Sequence, residues 1–229
     1  MLQSQGFGSR KECTKLVRSG RLMIDQRVVN LPSEIVQLQN LHFEVDGTPW
    51  SYFDTLYLAY NKPLGMECSR SPEHNESIFS DFPFPFLARD LQPAGRLDVD
   101  TDGLLLLSDN GRFIHHITSP KQGIPRRYRI STRHPVSRSD LQKLSDGVEL
   151  RGEEGLFRAF DLEQLGDREL RFSIDRGRYH QVRRMIAAIS NRLERLTREA
   201  IGTLTFEGIE PGHWRHLTTE ELHSLGWSE

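Results

Sequence analysis

Three observations on the 229-residue chain predict an α+β fold. Short apolar or alternating runs that read as strands are interspersed with short amphipathic segments, and they lack the regular strand–helix–strand alternation of a parallel α/β protein. The character of the chain changes near residue 50, after a basic opening of one helix and a hairpin. Residues 95–111, GRLDVDTDGLLLLSDNG, set an acidic turn directly before four consecutive leucines. That arrangement holds a carboxylate on rigid backbone beside a core segment.

The elements follow in chain order. In GSRKECTKLVRSGRL (8–22), Ser9 is the N-cap of a short helix with Val17 on its apolar face, ended by Gly20. LMIDQRVVN (22–30) alternates as a hairpin with its turn near Asp25. GTPWSYFD (47–54) reads as a linker, dividing a unit of residues 1–48 from one of 56–229, with 49–55 between them. DFPFPFLARDLQPAG (81–95) carries Pro83, Pro85 and Pro93 and cannot form a helix of useful length. Strands are expected at 56–60, 127–131, 157–162, 170–175 and 193–199. Helices are expected at 112–117, 138–144 and 179–189, the last with Val182, Met185, Ile186 and Ile189 on one apolar face. There is no internal repeat.

Hydrophobic residues make up 36% and charged residues 27%, as in an ordinary soluble globular protein. No apolar run reaches the length of a membrane helix, and MLQSQGFGSRKE has no apolar centre for a secretory signal. Cys13 and Cys68 are too few for a disulfide framework or a zinc site, which fits a reducing cytoplasm. The nine histidines show no metal spacing. Net charge is −2, but the charges are segregated. Residues 1–30 hold six basic against two acidic side chains, residues 121–138 six against none, and residues 171–198 eight against two. Such segments suit a phosphate backbone; solvated helical faces are the plainer alternative.

The acidic run admits two chemistries, a nucleophile or a metal ligand. Asp98, Asp100, Asp102 and Gly103 match the first half of an EF-hand calcium loop. The twelfth position, however, is Asp109 instead of a bidentate Glu, and the flanks do not read as two helices. Asp102-Gly103 and Asp109-Asn110-Gly111 instead read as turn formers.

Residues 95–111 resemble the signature of the pseudouridine synthases, whose G-R-L-D carries the catalytic Asp. Other stretches agree in order. LAYNKPLGMECS (58–69) resembles the family's L-N-K-P-x-G segment, and PRRYRI (125–130) falls at its basic-x-Tyr motif. GRYHQVRRMIAAI (177–189) resembles G-R-x-H-Q-[VI]-[KR]-R-M, and EAIGTLTFEGIEPGHWRHLT (199–218) resembles the family's tail. The likeness is strongest to the branch acting on small-subunit ribosomal RNA. The first 48 or so residues resemble an S4 RNA-binding domain, with two departures. Gln26 stands where Gly is usual in the turn, and the R-L-D-[KR]-[FL] opening is missing before Leu2, which reads as a trimmed module or a late-assigned start.

The resemblance implies a mixed, largely antiparallel sheet with the active-site cleft across it, and an enzyme that needs no cofactor or metal. It implies Asp98 as catalytic carboxylate, Tyr128 stacked on the uracil, and Arg183 as the cation that keeps Asp98 charged, with Arg184 the fallback. One helical step separates the two arginines, so only one can face the cleft. Arg96, two residues from Asp98, would share its face on a strand and enter the RNA stem; otherwise it would pair with Asp100 or Asp102. Arg126 and Arg127 keep positive charge before Tyr128. Arg178, His180, Gln181 and Arg184 are expected to contact phosphate and cleft. Lys62 is expected to shape the cleft floor or contact backbone, and Arg10, Lys11, Arg18 and Arg21 to bind RNA from the first unit. The expected partner is ribosomal RNA or the assembling small ribosomal subunit, with no membrane and the chain acting as a monomer. The alternatives are large-subunit or transfer RNA as target, and a non-catalytic assembly factor.

Overall fold

The computed structural model describes residues 1–228, which cluster into two units: Met1–Leu56 with Phe82–Gln92, and Tyr57–Asp81 with the chain from Pro93 onward. In the first unit, α1 (Arg10–Arg18) begins where the sequence predicts it. Ser9 and Glu12 form a reciprocal capping box, in which Glu12 Oε2 accepts from Ser9 N at 2.7 Å. Its inner face buries Cys13, Leu16 and Val17 against β1 (Leu22–Ile24), β2 (Arg27–Val29) and β3 (His42–Val45). The β1–β2 hairpin turns at Asp25 (φ 49°) and Gln26 (φ 61°). Gln26 therefore holds the left-handed conformation that a glycine would adopt without strain.

The expected linker is partly sheet. β4 (Thr48–Ser51) pairs antiparallel with β3, and Trp50 packs at the edge of Phe7. Residues 82–92 also return to this unit. Prolines limit α2 to Phe84–Ala88, and Arg89 donates to the carbonyls of Phe53 (2.9 Å) and Asp54 (2.8 Å).

The second unit is built on one twisted mixed sheet. Its main strands are β5 (Tyr57–Lys62), β6 (Thr101–Ser108), β7 (Arg126–Thr132), β8 (Phe160–Gly166), β9 (Glu169–Ile174), β10 (Leu193–Ile201) and β11 (Trp214–His216). They run in the order β8-β9-β7-β10-β6-β5-β11, with β10 and β6 parallel and the other neighbours antiparallel. Leu104–Leu107 of β6 are 0% exposed, so both faces of this central strand are covered. Gly103 (φ 104°) lies where β6 meets β10; a Cβ there would stand 2.3 Å from Arg198 O. Asp102-Gly103 is thus the start of a strand and not a turn.

α3 (Gly111–Thr118) is capped by Asn110, which accepts from the amides of Arg112 and Phe113, and it buries Phe113 and Ile117 on one side of the sheet. α4 (Arg138–Asp146) and α5 (Gln181–Ala188) bury Leu144, Val182, Met185 and Ile186 with β7 and β9. The strand expected at 157–162 is split. Leu156–Phe157 pairs with Val148–Glu149, Ala159 N bonds Leu144 O, and the backbone bulges at Asp161 (φ 49°) within β8. A final helix, α6 (Thr219–Ser224), has a capping box from Thr218 to Glu221. No helix among the described residues is long and apolar enough to cross a membrane.

Candidate active site

Asp98 sits in an irregular loop, residues 94–100, that leads into β6 at the rim of a cleft of about 730 Å³. The loop is fixed from below. Lys62, at the end of β5 and 0% exposed, places its three ammonium protons on the carbonyls of Pro63 (3.0 Å), Asp98 (3.1 Å) and Thr101 (3.0 Å). Thr101 N closes a turn onto Asp98 O at 3.0 Å, and Gly65 N bonds Val99 O at 2.7 Å. Burial pushes the Lys62 ammonium below the usual lysine range, against the pull of Cys68, Asp102, Asp98 and Asp100. Lys62 thus supports the loop through the protein's own backbone. Direct RNA binding by Lys62 is not available, because its donors are committed and it has no exposed surface.

The carboxylate of Asp98 is part-exposed and faces α5. His180 Nε2 stands 3.4 Å from Oδ1 and Arg183 Nε 3.5 Å from Oδ2. Arg183 also bonds Asp100 through Nη2, and the same nitrogen donates to Thr101 Oγ1 at 3.3 Å. One guanidinium thus serves both acids of the turn. Arg184, one helical step away, points elsewhere, donating to Glu153 Oε1 (3.2 Å) and to the Arg151 carbonyl. It makes no part of the cleft wall, so its expected substrate contact is not supported by its place on α5. His180 is the N-cap of α5 in a left-handed conformation (φ 50°), which starts the helix two residues later than expected. Tyr179 stacks on His180 at 3.8 Å and is 73% exposed.

Gln181, 4% exposed, accepts from Arg178 N at 3.1 Å and holds the loop before α5; Arg178 itself lies on the cleft wall and pairs with Glu153 at 3.4 Å. Gln181 is thereby a brace of the wall, not a free donor to phosphate. Arg96 does not share a strand face with Asp98, because no strand forms there. It is exposed on the cleft wall and pairs with neither Asp100 nor Asp102; Asp102 takes Arg195 at 3.0 Å. Tyr128 on β7 is 7% exposed and lines the cleft floor. Arg126 is buried there too, while Arg127 turns to Glu199 at 3.8 Å. Burial pushes up the thiol of Cys68, which also lines the cleft. In the first unit, Arg10, Lys11 and Arg18 are exposed on α1, whereas Arg21 is bound by both carboxylate oxygens of Asp46.

Residues 56–188 match the RNA pseudouridylate synthase family, and residues 1–40 match the S4 domain. The chain is 38% identical to the ribosomal small subunit pseudouridine synthase A of Yersinia pestis, over 97% of this chain and 95% of the relative. The chain belongs to the RNA pseudouridine synthase family. It is also 32% identical to the uncharacterized RNA pseudouridine synthase YtzG of Bacillus subtilis, over 98% of this chain and 96% of that one. A crystal structure of a pseudouridylate synthase superposes with a TM-score of 0.70 at 34% identity, covering 98% of this chain and 96% of the other. The α+β fold, the N-terminal S4 domain and the isomerase class expected from the sequence are all borne out. Within this synthase, sequence reasoning missed Tyr179 and Arg198 on the cleft wall and gave Asp100 no part in the site. Nothing local marks Arg198, which reaches the cleft only through strand pairing.

Proposed function

We propose that the chain converts one specific uridine of small-subunit (16S) ribosomal RNA to pseudouridine, with Asp98 as the catalytic carboxylate and the target uridine flipped into the cleft from a folded stem or loop. The observation that carries this reading is the convergence of Asp98, Arg183, His180 and Tyr128, from three separate stretches of chain, on one cleft. The relatives named as ribosomal small subunit synthases favour the target.

Pseudouridine formation breaks the C1′–N1 bond, turns the uracil and rejoins it through C5. It conserves every atom, so it needs no redox group, metal or energy source. Asp98 acts on the sugar, by attack at C1′ or by removal of the C2′ proton, and both need the ionised carboxylate that Arg183 holds in place. Tyr128 stacks on the uracil and stands near C5, where a proton leaves after rejoining. Arg96 and Arg178 meet phosphate at the wall, and the outer face of Tyr179 offers a stacking surface to a neighbouring base. Arg10, Lys11 and Arg18 extend the phosphate contact from the S4 domain. The chain acts as a monomer in the cytoplasm, on free RNA or on an assembling subunit.

The test incubates wild type and Asp98→Ala with 16S transcripts and with protein-bound precursor particles, mapping pseudouridine by carbodiimide-dependent reverse-transcription stops. One new stop with wild type, absent with Asp98→Ala, is expected. A stop only on 23S or transfer RNA would overturn the target. No stop on any RNA would leave a binding factor for ribosome assembly.

A further inference from the structure

Two arginines in the cleft are buried with no carboxylate in ion-pair contact among the described residues. Arg198 is 3% exposed; its Nε donates to Leu104 O at 2.7 Å, while its Nη2 is buried with no hydrogen-bond partner among the described residues. Arg126, 9% exposed, donates to two more neutral carbonyls, Ile117 O at 2.8 Å and Ile124 O at 3.3 Å. Burial, and after it the like charge of Arg198, push the Arg126 guanidinium below its usual range. Carbonyl dipoles compensate a buried cation only in part, and adjacent like charges in a low-dielectric place destabilise the empty protein. At Arg126, Tyr128 and Asp175 offset this only in part, and the acids of the turn are engaged elsewhere. Asp98 and Asp100 lie against Arg183, and Asp102 is held by Arg195.

Strand register directs this charge. Arg198 is the Cα partner of Tyr128 across β10 and β7, so their side chains leave the sheet on the same face, and Arg126 lies two residues upstream of Tyr128. All three line the cleft onto which Asp98 opens. A base stacked on Tyr128 would therefore lie beside two guanidinium groups that have no carboxylate in contact.

We infer that Arg198, assisted by Arg126, stabilises the uracil anion released when the C1′–N1 bond breaks. The inference rests on the proposal that this cleft isomerises uridine with Asp98 at the sugar. When the bond breaks, its electron pair stays on N1 and spreads to O2 and O4, giving a uracil monoanion. The sugar either bonds to the Asp98 carboxylate at C1′ or gives its C2′ proton to it. Rejoining forms the C5–C1′ bond and restores Asp98 as a carboxylate; the C5 proton then leaves, and N1 gains one. Negative charge on the base exists only between the two bond changes. A fixed cation at O2 or O4 therefore acts on the transition state more than on the bound uridine.

Fluorine at C5 withdraws electrons and stabilises the same anion without help from the protein. The decisive comparison is single-turnover consumption of target RNA carrying uridine or 5-fluorouridine, by full-length wild type, Arg198→Gln, Arg198→Lys, Arg126→Gln and Asp98→Ala. Products are read by mass spectrometry of nuclease digests. Arg198→Gln is expected to slow uridine turnover about 100-fold, the usual scale for losing one charge-stabilising donor. On 5-fluorouridine the same variant is expected to lose less than about tenfold. Arg126→Gln should show the same bias with a smaller loss, and Arg198→Lys should recover part of the uridine rate. Equal losses on both substrates overturn the inference, since a purely structural arginine does not sense the leaving group. If Arg198→Gln does not fold, the uridine-to-fluorouridine ratio of Arg198→Lys decides in the same way. Retained activity in Asp98→Ala overturns the underlying site assignment instead, so the two failures are distinct.

Discussion

Lys62 donates to the backbone carbonyl of Asp98 at 3.1 Å from a position with no solvent exposure. A buried cation thus fixes the loop that carries the carboxylate without touching the carboxylate itself. Lys62→Met keeps the length but removes the ammonium donor from the carbonyls of Pro63, Asp98 and Thr101, of which Asp98 O keeps only Thr101 N. The expected cost is about 2–4 kcal/mol of stability, on the scale of unsatisfied buried acceptors. Thermal or urea unfolding measures it, and turnover of the folded fraction should fall as well. A cost under about 0.5 kcal/mol, the scale of ordinary surface substitutions, would show that the loop is held by other contacts.

Arg183 is shared between Asp98 and Asp100, which makes the two acids unequal. Asp98→Asn is expected to abolish turnover. Asp100→Asn should lower it by less than about tenfold, because Arg183 keeps its second partner. Arg183→Lys offers one compact charge where two acids need a planar fork, and should cost about 10²-fold in kcat with little change in KM. Single-turnover kinetics separate these cases.

Glu67 accepts hydrogen bonds from the amides of Glu73, His74 and Asn75 at 3.0–3.1 Å, which hold its carboxyl down at about 2. Its folded value lies below the ordinary value of 4.5, so its stabilising contribution is complete above that pH. The contribution is lost as pH falls from about 4.5 towards 2. In wild type, protection of the amides of residues 73–75 from hydrogen exchange, taken relative to the intrinsic rate at each pH, should fall across this range. In Glu67→Gln it should already be low at neutral pH. Unchanged protection in the variant would show that other contacts order the loop.

Tyr179 presents an open aromatic face at the cleft mouth, its other face stacked on His180. Tyr179→Ala is expected to weaken RNA binding about 5- to 100-fold, the range for one stacked base, while Tyr179→Trp should retain it. Titration with the mapped substrate RNA measures this, and equal affinity for all three proteins would remove the stacking role.

Arg10, Lys11 and Arg18 are exposed cations on α1, whereas Arg21 is engaged by Asp46. Changing the first three to Ala should flatten the slope of log affinity against log salt by about 2, given roughly 0.7–0.9 per phosphate contact. Arg21→Ala should leave the slope nearly unchanged. A slope near zero in wild type would refute phosphate-driven binding altogether.

The features legible in the sequence are the local ones. Ser9 and Glu12 announce the start of α1, four leucines announce β6, and the spacing of Val182, Met185 and Ile186 announces the buried face of α5. The G-R-L-D motif singles out Asp98 among the acids of its run. Elements whose form depends on distant partners were not legible. β4 lies in an expected linker because it is completed by β3, and residues 82–92 return to the first unit through Arg89 and Phe86. Asp102-Gly103 has turn composition but becomes strand, because parallel pairing to β10 needs a residue without a Cβ beside Arg198.

Sequence alone therefore determined the fold class and the S4 and synthase families, and it proposed Asp98 as the central carboxylate, since each rests on residue type and short spacing. Only the tertiary structure decided which cations serve that carboxylate. On α5, a step of about 100° per residue turns Arg183 into the cleft and Arg184 away from it. Lys62 and Arg198 reach the site across 36 and 94 residues of chain, to Asp98 and Leu104. Their charge matters because burial removes the water that would otherwise screen it, and burial is a property of the packed sheet, not of any local stretch of sequence.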